Sequence, residues 1–491
     1  MKLNLESYRD KVYACWIGKN IGGTMGTPYE GKRMTHDIKG FASEPGAPLP
    51  NDDLDLQLVW LLAMEKFGPA GVNAAILSDY WAQAIVPYWN EYGLGKVNAR
   101  RGLLPPMSGD YNNNWKDSNG AWIRTEIWAC LCPGNPAAAV KYAVEDAMVD
   151  HGTGEGTVAA AFVAAMQSAA FATNDIRKAI DVGLAAIPEQ SRMAQSIRLL
   201  FDCHEKGMSP MEAREAIFQA NADIGDGWFE APSNVAYAVL GLLYGEGDFK
   251  KSMILAINCG DDTDCTGATV GATLGILGGG AIIPEDWKRH IGDRIVTISI
   301  AGGIVSSHIP MTCSALTKRV VALAPSVLAA QRVGSVALHD SEDEIPEDYL
   351  DQIKKDHWLK APLKNLIPNS MRFEDLFMNI TVIYDGAPEI APLEEKKFKI
   401  LFQNRWGAES NVGNSTPANL NLRWLGTENL TVKSRTALTV PHRTSHSTDA
   451  SITLDVTITA GEKVEPVNRI VLEVVNEGKP RIIYVPITFL G

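Results

Sequence analysis

Hydrophobic and polar positions alternate with the period of an α-helix over roughly the first two thirds of the chain. Apolar residues recur every three or four positions, which predicts helices over residues 138–149, 158–171, 176–186, 193–203, 211–220 and 235–244. Alternation of period two is scarce before residue 335. The pattern therefore predicts an all-α domain over residues 1–335.

Beyond residue 373 the apolar positions recur at every second residue instead. Runs rich in β-branched and aromatic side chains, separated by Gly, Asn and Pro, predict strands near residues 380–384, 398–402, 420–424, 452–458, 470–474 and 482–485. We expect these strands to form an antiparallel β-sandwich over residues 373–491. The intervening residues 336–372 are acidic and contain prolines, which predicts a charged linker with a short helix.

Composition and charge favour a soluble enzyme over a nucleic-acid-binding or membrane protein. The 491 residues carry a net charge of −13, so nucleic acid and anionic membrane surfaces would repel the chain. Seven scattered cysteines without zinc-type spacing predict reduced thiols in a cytoplasm. Residues 1–19 lack an apolar signal core, and the apolar run 267–283 is short and glycine-rich for a membrane span. We therefore expect a cytoplasmic enzyme with a small-molecule substrate, and the sequence leaves a homo-oligomer open.

Acidic residues are concentrated where two apolar helices are predicted to begin. Asp261, Asp262 and Asp264 fill three of four positions ahead of a Gly/Ala-rich run, while Asp52 and Asp53 precede a second apolar run. Adjacent carboxylates repel one another and burial raises their pKa values, so such groups favour full solvation or a hard metal ion bound through oxygen. The alternative is that they only cap their helices, because Asp and Asn accept hydrogen bonds from the first N–H groups of a helix.

The residues that follow the second acidic group favour the metal interpretation. Asp262 and Asp264 together exceed what a single cap needs, and Gly267, Gly271 and Gly275 follow at four-residue spacing. This spacing places three glycines on one helix face, where another backbone can approach closely. We expect that packing to hold the acidic residues rigidly.

Six segments, in the same order along the chain, resemble the motifs of the ADP-ribosylglycohydrolase superfamily. They are residues 22–30 for the opening G-D-x-x-G-x-x-x-E, 51–53 for T-D-D, 119–124 for N-G-x-x-[MI]-R, 150–156 for S-H-x-x-x-E-G, 247–259 for the D-F-x-x-x-[IL] approach, and 260–267 for G-G-D-[ST]-D-T-x-A. The resemblance covers roughly residues 1–335. It implies a multidomain α and β fold class, in which an all-α ADP-ribosylglycohydrolase-like helical domain is followed by the C-terminal antiparallel β-sandwich.

The resemblance also implies a centre of two Mg²⁺ ions. Carried over residue by residue, it nominates Glu30, Asn51, Asp52, Asp53, Asp262, Asp264 and Cys265. Asn51 replaces a threonine, and its amide oxygen can still bind a hard cation. Cys265 replaces a threonine whose hydroxyl would bind the metal. Cys265 is therefore either a small buried residue or a ligand, and a thiol ligand favours Mn²⁺, zinc or another divalent ion over Mg²⁺.

The implied reaction is hydrolysis of an N- or O-glycosidic bond at a ribose-like sugar by a metal-positioned water. Glu30 is the candidate catalytic base or water-orienting group, and Asp53 is the other candidate. The predicted substrate contacts from the matching motifs are Asn119, Gly120, Arg124 and His151. For Arg124 the alternative role is neutralisation of acidic groups, and for His151 it is a structural hydrogen bond.

One loop leaves the substrate open between an ADP-ribosyl compound and a plain glycoside. Residues 113–118 read Asn-Asn-Trp-Lys-Asp-Ser, where the family usually has small residues that let backbone N–H groups approach a diphosphate. The bulky Trp115 and the anionic Asp117 favour an unphosphorylated sugar as the alternative. A further alternative is a ligand-binding member of the fold without catalysis.

Aromatic residues close to this loop are candidates for sugar binding, because their flat apolar faces pack against C–H surfaces. Tyr111 and Trp115 are predicted to lie in an exposed loop that contacts substrate. Trp81, Tyr88 and Trp89 fall at helical spacing, which predicts that they are mostly core.

Overall fold

The structure is a computed structural model that describes residues 1–224, 229–300, 308–331, 334–405, 416–442 and 450–491. It divides into two compact units, one of residues 1–93 with 113–366 and one of residues 94–112 with 367–491. The first unit is helical and the second consists mainly of antiparallel sheets, which confirms the predicted fold class.

The described helices follow the predicted periodicity closely. They are α1 (Leu5–Gly26), α2 (Asp52–Gly71), α3 (Ala74–Ala84), α4 (Asn90–Arg100), α5 (Met107–Asp110), α6 (Glu126–Leu131), α7 (Pro136–Ala147), α8 (Glu155–Ala170), α9 (Ile176–Ala186), α10 (Arg192–Glu205), α11 (Pro210–Ala220), α12 (Ala231–Tyr244), α13 (Phe249–Asn258), α14 (Thr263–Gly278), α15 (Glu285–Ile291), α16 (Cys313–Ala329), α17 (Tyr349–Lys355) and α18 (His357–Lys364). Short 3₁₀ turns cover Thr27–Tyr29, Trp122–Arg124 and Gly279–Ile282.

The described strands lie mainly in the second unit. They are β1 (Lys2–Asn4) and β2 (Ala337–His339) in the first unit, and β3 (Ser370–Glu374), β4 (Met378–Tyr384), β5 (Glu395–Asn404), β6 (Ala418–Leu425), β7 (Leu430–Lys433), β8 (Ala437–Val440), β9 (Ser451–Ala460), β10 (Val467–Asn476) and β11 (Ile482–Leu490) in the second.

Helices α1 and α14 of the first unit pack with their backbones in direct contact. A side-chain carbon added to Gly271 would lie 2.1 Å from the carbonyl oxygen of Gly18, and one added to Gly22 would lie 2.1 Å from that of Gly267. These distances are too short for any side chain, so only glycine fits at the crossing. The predicted glycine face of α14 therefore packs against another helix, as the four-residue spacing indicates.

The same helix is strongly apolar. Among the described residues, the run Thr263–Ile282 is the one helical stretch whose length and composition would suit a membrane span, and 78% of its most apolar window is buried inside the fold. A core helix passes the same test of length and composition. Here the apolar side chains pack against the other helices of the first unit.

The segment 336–372, predicted as a charged linker with one short helix, is largely folded into the first unit. Strand β2 pairs in parallel with β1, and α17 and α18 follow it. The hydroxyl of Tyr349 donates to the carbonyl of Gly134 at 2.6 Å, and Leu350 and Leu359 are buried. Charged residues dominate the composition of this segment, but apolar residues at helical spacing are enough to bury one face of each helix.

The second unit contains two antiparallel sheets that share one core. Their strand orders are β11-β10-β6-β8 and β3-β4-β5-β9-β7. Alternate residues of β5, such as Phe398 and Ile400, are buried, as the period of two predicts. Residues 94–112 belong to this unit, since Leu103 and Met107 lie in its core. The sequence pattern placed them in the helical domain, because a pattern of apolar positions does not reveal which core a segment enters.

We predict that Gly271→Ala lowers the free energy of unfolding by about 1–3 kcal/mol, the usual cost of overpacking a filled core. The added carbon would meet the backbone of Gly18, which cannot rotate out of the way. Urea unfolding followed by the helical circular dichroism signal measures the change. Gly40→Ala is the control, because no atom of the described residues lies within 4 Å of its added carbon. Equal free energies of unfolding for Gly271→Ala and Gly40→Ala would contradict the close contact between α1 and α14.

Candidate metal centre

The candidate metal centre lies where the end of α1 meets the start of α14. The hydroxyl of Thr263 donates to the carbonyl of Gly26 at 2.8 Å. A short bridge joins Lys32 to Asp261, whose N–H donates to the Lys32 carbonyl at 2.9 Å. These contacts bring Glu30, which follows α1 in the chain, beside the carboxylates at the start of α14.

Two overlapping groups of side chains have the composition and spacing to hold cations. In the first, here named the thiol position, ligand atoms of Asp53, Asp264 and Cys265 lie within 4.8 Å of one another. In the second, the carboxylate position, the same holds for Glu30, Asp262 and Asp264. Asp264 belongs to both groups. The structure thus brings together five of the residues that the resemblance nominated, from three separate parts of the chain.

Unpaired buried oxygens make these positions suitable for cations. Oδ1 of Asp262 and Oδ1 of Asp264 are buried and have no hydrogen-bond partner among the described residues. The two residues are only 3% and 4% exposed. An unpaired buried carboxylate oxygen is costly, and a divalent cation compensates for the water it has lost. The residues therefore fit the divalent cations that the resemblance implies.

Crowding and burial raise the pKa values of these acids. Burial, followed by repulsion from Glu30, raises the pKa values of Asp262 and Asp264 well above the usual 3.8. Desolvation and the nearby Asp52 carboxylate raise the pKa of Glu30 to about 7, although part of its side chain is exposed at the rim. Burial likewise raises the pKa of Asp53 to about 7. Without a cation, several of these acids hold protons near neutral pH, and a bound cation takes the place of those protons.

A buried lysine lies behind the thiol position. Nζ of Lys19 is 3.4 Å from Oδ1 of Asp53 and 3.2 Å from Oε2 of Glu126, and all three side chains are inaccessible to solvent. Oδ2 of Asp53 lies 3.5 Å from Sγ of Cys265, on the other side of the carboxylate. The sequence analysis did not identify Lys19 or Glu126. The sequence signal that could have identified Lys19 is its position inside the apolar helix α1, because a buried lysine needs an acidic partner.

Asn51 and Asp52 make different contacts from the five residues of the two groups. Oδ1 of Asn51 accepts the N–H of Asp53 at 2.7 Å and so caps α2, which is the alternative role considered for this segment. Oδ2 of Asp52 accepts a hydrogen bond from the hydroxyl of Tyr92 at 2.8 Å. Their roles as metal ligands stay predictions.

The predicted substrate residues Asn119 and Gly120 lie beside the carboxylate position. Nδ2 of Asn119 donates to Oδ2 of Asp262 at 2.6 Å, and the indole N–H of Trp122 donates to Oδ1 of Asn119 at 2.9 Å. A side-chain carbon on Gly120 would lie 2.3 Å from Oε1 of Glu91. The N-G pair is therefore held against the acidic centre, and a larger residue at Gly120 would displace the Glu91 carboxylate.

Arg124 is fully buried and neutralises acids of the chain itself. Its Nε donates to Oδ1 of Asp146 at 2.9 Å, and its two terminal nitrogens donate to Asp150 at 2.7 and 3.0 Å. One terminal nitrogen also donates to the carbonyl of Gly120 at 2.8 Å. These contacts correspond to the neutralising role, with partners other than Glu126, and they fix the loop that carries Asn119.

His151 is also fully buried in this conformation. Its Nδ1 lies 3.0 Å from Oδ1 of Asp150, and its Nε2 lies 3.4 Å from Oγ of Ser118 and 3.9 Å from Oε1 of Glu91. The contacts of the enclosed ring with Ser118 and Glu91 correspond to the structural role, and the role of His151 as a substrate contact stays a prediction. The sequence analysis did not identify Glu91, because no family motif covers it and one acidic residue in a helix is an ordinary surface pattern.

The predicted exposure of one aromatic residue near the loop was wrong, and the predicted substrate contacts of Tyr111 and Trp115 stay predictions. Tyr111 is buried in the second unit, where its hydroxyl donates to Glu389, so it does not form the exposed loop that was predicted. Trp115 is half-buried in the first unit. Its role as a substrate contact stays a prediction.

The prediction of core positions for three other aromatic residues was correct only in part. Trp81 is fully buried, but Tyr88 and Trp89 are 53% and 48% exposed. Both lie beyond the end of α3 at Ala84, so the helical spacing does not continue to them. The ring of Trp89 lies 6.2 Å from that of Tyr92, whose hydroxyl contacts Asp52.

One comparison with known proteins, the match to a family model, agrees with the motifs. A family model of ADP-ribosylglycohydrolases matches residues 4–311. The solved structure titled "ADP-ribosylglycohydrolase-related protein complex" has 20% identity and a TM-score of 0.42, covering 65% of this chain and 99% of that one. A FixG-related protein from Vibrio parahaemolyticus has 14% identity and a TM-score of 0.18, covering 23% of this chain and 94% of that one. No curated protein sequence matches the chain significantly.

We predict that divalent cations stabilise the protein more strongly as the pH rises towards neutrality. Glu30 and Asp53 have pKa values of about 7 in the folded chain, above their usual 4.5 and 3.8. Without cations, the stability that these two groups contribute is therefore present at about pH 4 and is lost as the pH rises through about 7. Thermal unfolding at about pH 5 and pH 8, with Mg²⁺, Mn²⁺ or a chelator, measures the effect.

The control for this experiment is Asp264→Asn, which removes the carboxylate shared by both positions. At the higher pH, divalent cations should raise the melting temperature of that variant less than they raise that of the wild type. An equal shift of the melting temperature at both pH values in the wild type would contradict the prediction.

Proposed function

The chain belongs to the ADP-ribosylglycohydrolase family, and on this premise we propose that it hydrolyses an N- or O-glycosidic bond at a ribose-like sugar, using divalent cations held by the metal centre. The observation that carries the proposal is the convergence of Glu30, Asp53, Asp262 and Asp264 around buried carboxylate oxygens that have no partner among the described residues. Two Mg²⁺ ions are the expected cofactors, and Mn²⁺ or another divalent ion is the alternative.

When bound, such cations orient sugar hydroxyls and lower the pKa of a coordinated water. Glu30 is the proposed catalytic base, because it lies at the exposed rim where both water and substrate can reach it. As a carboxylate, it can take a proton from water as the glycosidic bond breaks. Asp53 is less accessible, because it is fully buried and paired with Lys19.

We predict that Glu30→Gln lowers kcat by about 10²–10⁴-fold, the usual contribution of a general base. Glutamine keeps the size of the side chain and the cation-binding oxygen but cannot accept the proton. Steady-state hydrolysis measures the loss of turnover, and calorimetric titration with Mg²⁺ shows whether cation binding is kept. Glu44→Gln, on an exposed loop, is the matched control and should keep full activity. Retained turnover in Glu30→Gln would remove this residue from the mechanism.

A plain glycoside is the second candidate substrate, and the start of α8 favours it. Oδ1 of Asp117 accepts the N–H of Glu155 at 2.7 Å, and the carbonyl of Lys116 accepts the N–H of Gly156 at 3.2 Å. The first N–H groups of a helix are a common binding site for phosphate. Here the chain's own carboxylate and carbonyl occupy them, and Asp117 adds a negative charge that would repel a diphosphate.

Exposed aromatic residues support the same candidate. Tyr88 and Trp89 are half exposed, and Trp89 is linked through Tyr92 to Asp52 at the metal centre. An exposed tryptophan face next to a sugar-binding position suits the apolar C–H surface of a second sugar or an aryl leaving group.

We predict that aryl glycosides are hydrolysed at a higher kcat/KM than ADP-ribosyl-arginine or ADP-ribosyl-serine. The panel is assayed with Mg²⁺, with Mn²⁺ and with a chelator. Trp89→Ala should raise KM for the preferred glycoside with little change in kcat, whereas Trp358→Ala, at another exposed tryptophan, should leave both unchanged. Preference for the ADP-ribosyl substrates would contradict the second candidate. Cation binding without hydrolysis of any substrate in the panel would instead favour a ligand-binding protein that has lost catalysis.

A further inference from the structure

The thiol position and the carboxylate position of the metal centre differ in ligand chemistry, and we propose that the first selects a zinc-like divalent ion while the second selects a magnesium-like ion. This inference rests on the proposed metal-dependent function and adds the residue that discriminates between ions. That residue is Cys265, which stands where the family motif has a threonine. A thiolate is a preferred ligand for Zn²⁺ and a poor one for Mg²⁺.

The geometry places the sulfur among ligand atoms instead of among apolar side chains alone. Sγ of Cys265 lies 3.5 Å from Oδ2 of Asp53, and both side chains share a 4.8 Å group with Asp264. The three residues are 6%, 0% and 4% exposed, in the order Cys265, Asp53, Asp264. A deep position with few ligands suits Zn²⁺, which forms closed tetrahedral sites with sulfur and oxygen ligands.

The carboxylate position has the opposite character. It is built from oxygen ligands alone, and one of its members, Glu30, is exposed. Mg²⁺ needs near-octahedral coordination and usually keeps several waters. An all-oxygen site with one exposed member suits such an ion better than the buried thiol position does.

The buried charge behind the thiol position does not remove the need for a cation. Lys19 lies between Asp53 and Glu126, at 3.4 and 3.2 Å, so its single positive charge serves two carboxylates. It contacts Oδ1 of Asp53, while Oδ2 of the same carboxylate faces Cys265. Lys19 therefore orients Asp53 with one oxygen towards the thiol position, and among the described residues its ion pairs and hydrogen bonds include neither Asp264 nor Cys265.

An independent observation points to a ligand at this place. Oδ1 of Asp264, the residue common to both positions, is buried without a hydrogen-bond partner among the described residues. A cation at the thiol position would be bound by both Asp264 and Cys265.

The test uses the full-length chain after treatment with a chelator. Co²⁺ serves as the spectroscopic substitute, because Zn²⁺ itself has no d–d absorption. The first equivalent of Co²⁺ should produce a near-ultraviolet sulfur-to-cobalt charge-transfer band. Addition of Zn²⁺ should remove the band, and Mg²⁺ at the same concentration should not. This measurement on the wild type does not depend on whether any variant folds.

Two substitutions and one control locate the sulfur. Cys265→Thr, which restores the motif residue, and Cys265→Ser should both lose the band and bind Zn²⁺ roughly 100-fold more weakly or worse, since loss of even an outer-shell partner costs about 10–100-fold. Cys203→Ala removes another buried cysteine, in α10, and should keep both the band and the affinity. Asp262→Asn should weaken Mg²⁺ binding and keep the band.

The outcomes separate this inference from the proposed function. Co²⁺ binding without a sulfur band in the wild type, or unchanged Zn²⁺ affinity in Cys265→Thr, would overturn the inference and leave a metal-dependent glycohydrolase standing. A chain that binds no divalent cation at either position would overturn both.

Discussion

The direct contact between the backbones of α1 and α14 is the constraint on which the metal centre depends. Glycines on both helices, among them Gly22 and Gly267, remove every side chain from the crossing. Two helices that touch in this way have fixed ends relative to one another, and their neighbouring ends carry Glu30, Asp262 and Asp264. Larger residues at the crossing would separate these carboxylates, so the glycine face is as necessary to the site as the ligands themselves.

Electrostatic repulsion between the carboxylates opposes this arrangement, whereas the packing of the two helices favours it. Several carboxylates lie in a region from which water is largely excluded, and their pKa values rise as a result. The chain provides partial compensation through Lys19, which is paired with Asp53 and Glu126, and through the amide of Asn119, which donates to Asp262. Oδ1 of Asp262 and Oδ1 of Asp264 remain unpaired among the described residues, so a divalent cation would stabilise what the protein groups leave uncompensated.

The sequence predicted those features that depend on local pattern. Helical periodicity and the change to a period of two led to the fold class, and the resemblance to the family nominated the five residues of the two cation positions. Features that depend on long-range packing were missed. Nothing local distinguishes Leu103 as part of the second unit's core, Lys19 as the partner of Asp53, or Glu91 as a neighbour of His151. Each of these relations joins residues that are separated along the chain by more than one turn or loop.

The residues of the candidate site fall into a buried set and an exposed set at the rim. The buried set, including Asp53, Cys265 and Arg124, is fixed by ion pairs and close packing and cannot adapt to a ligand. In the proposed function it would determine which cation binds and where. The rim, with Glu30 and Trp89, is exposed and would determine what can approach that cation. If the buried set holds the cations, substrate preference can change within this fold through exposed residues such as Trp89, which belong to neither cation position.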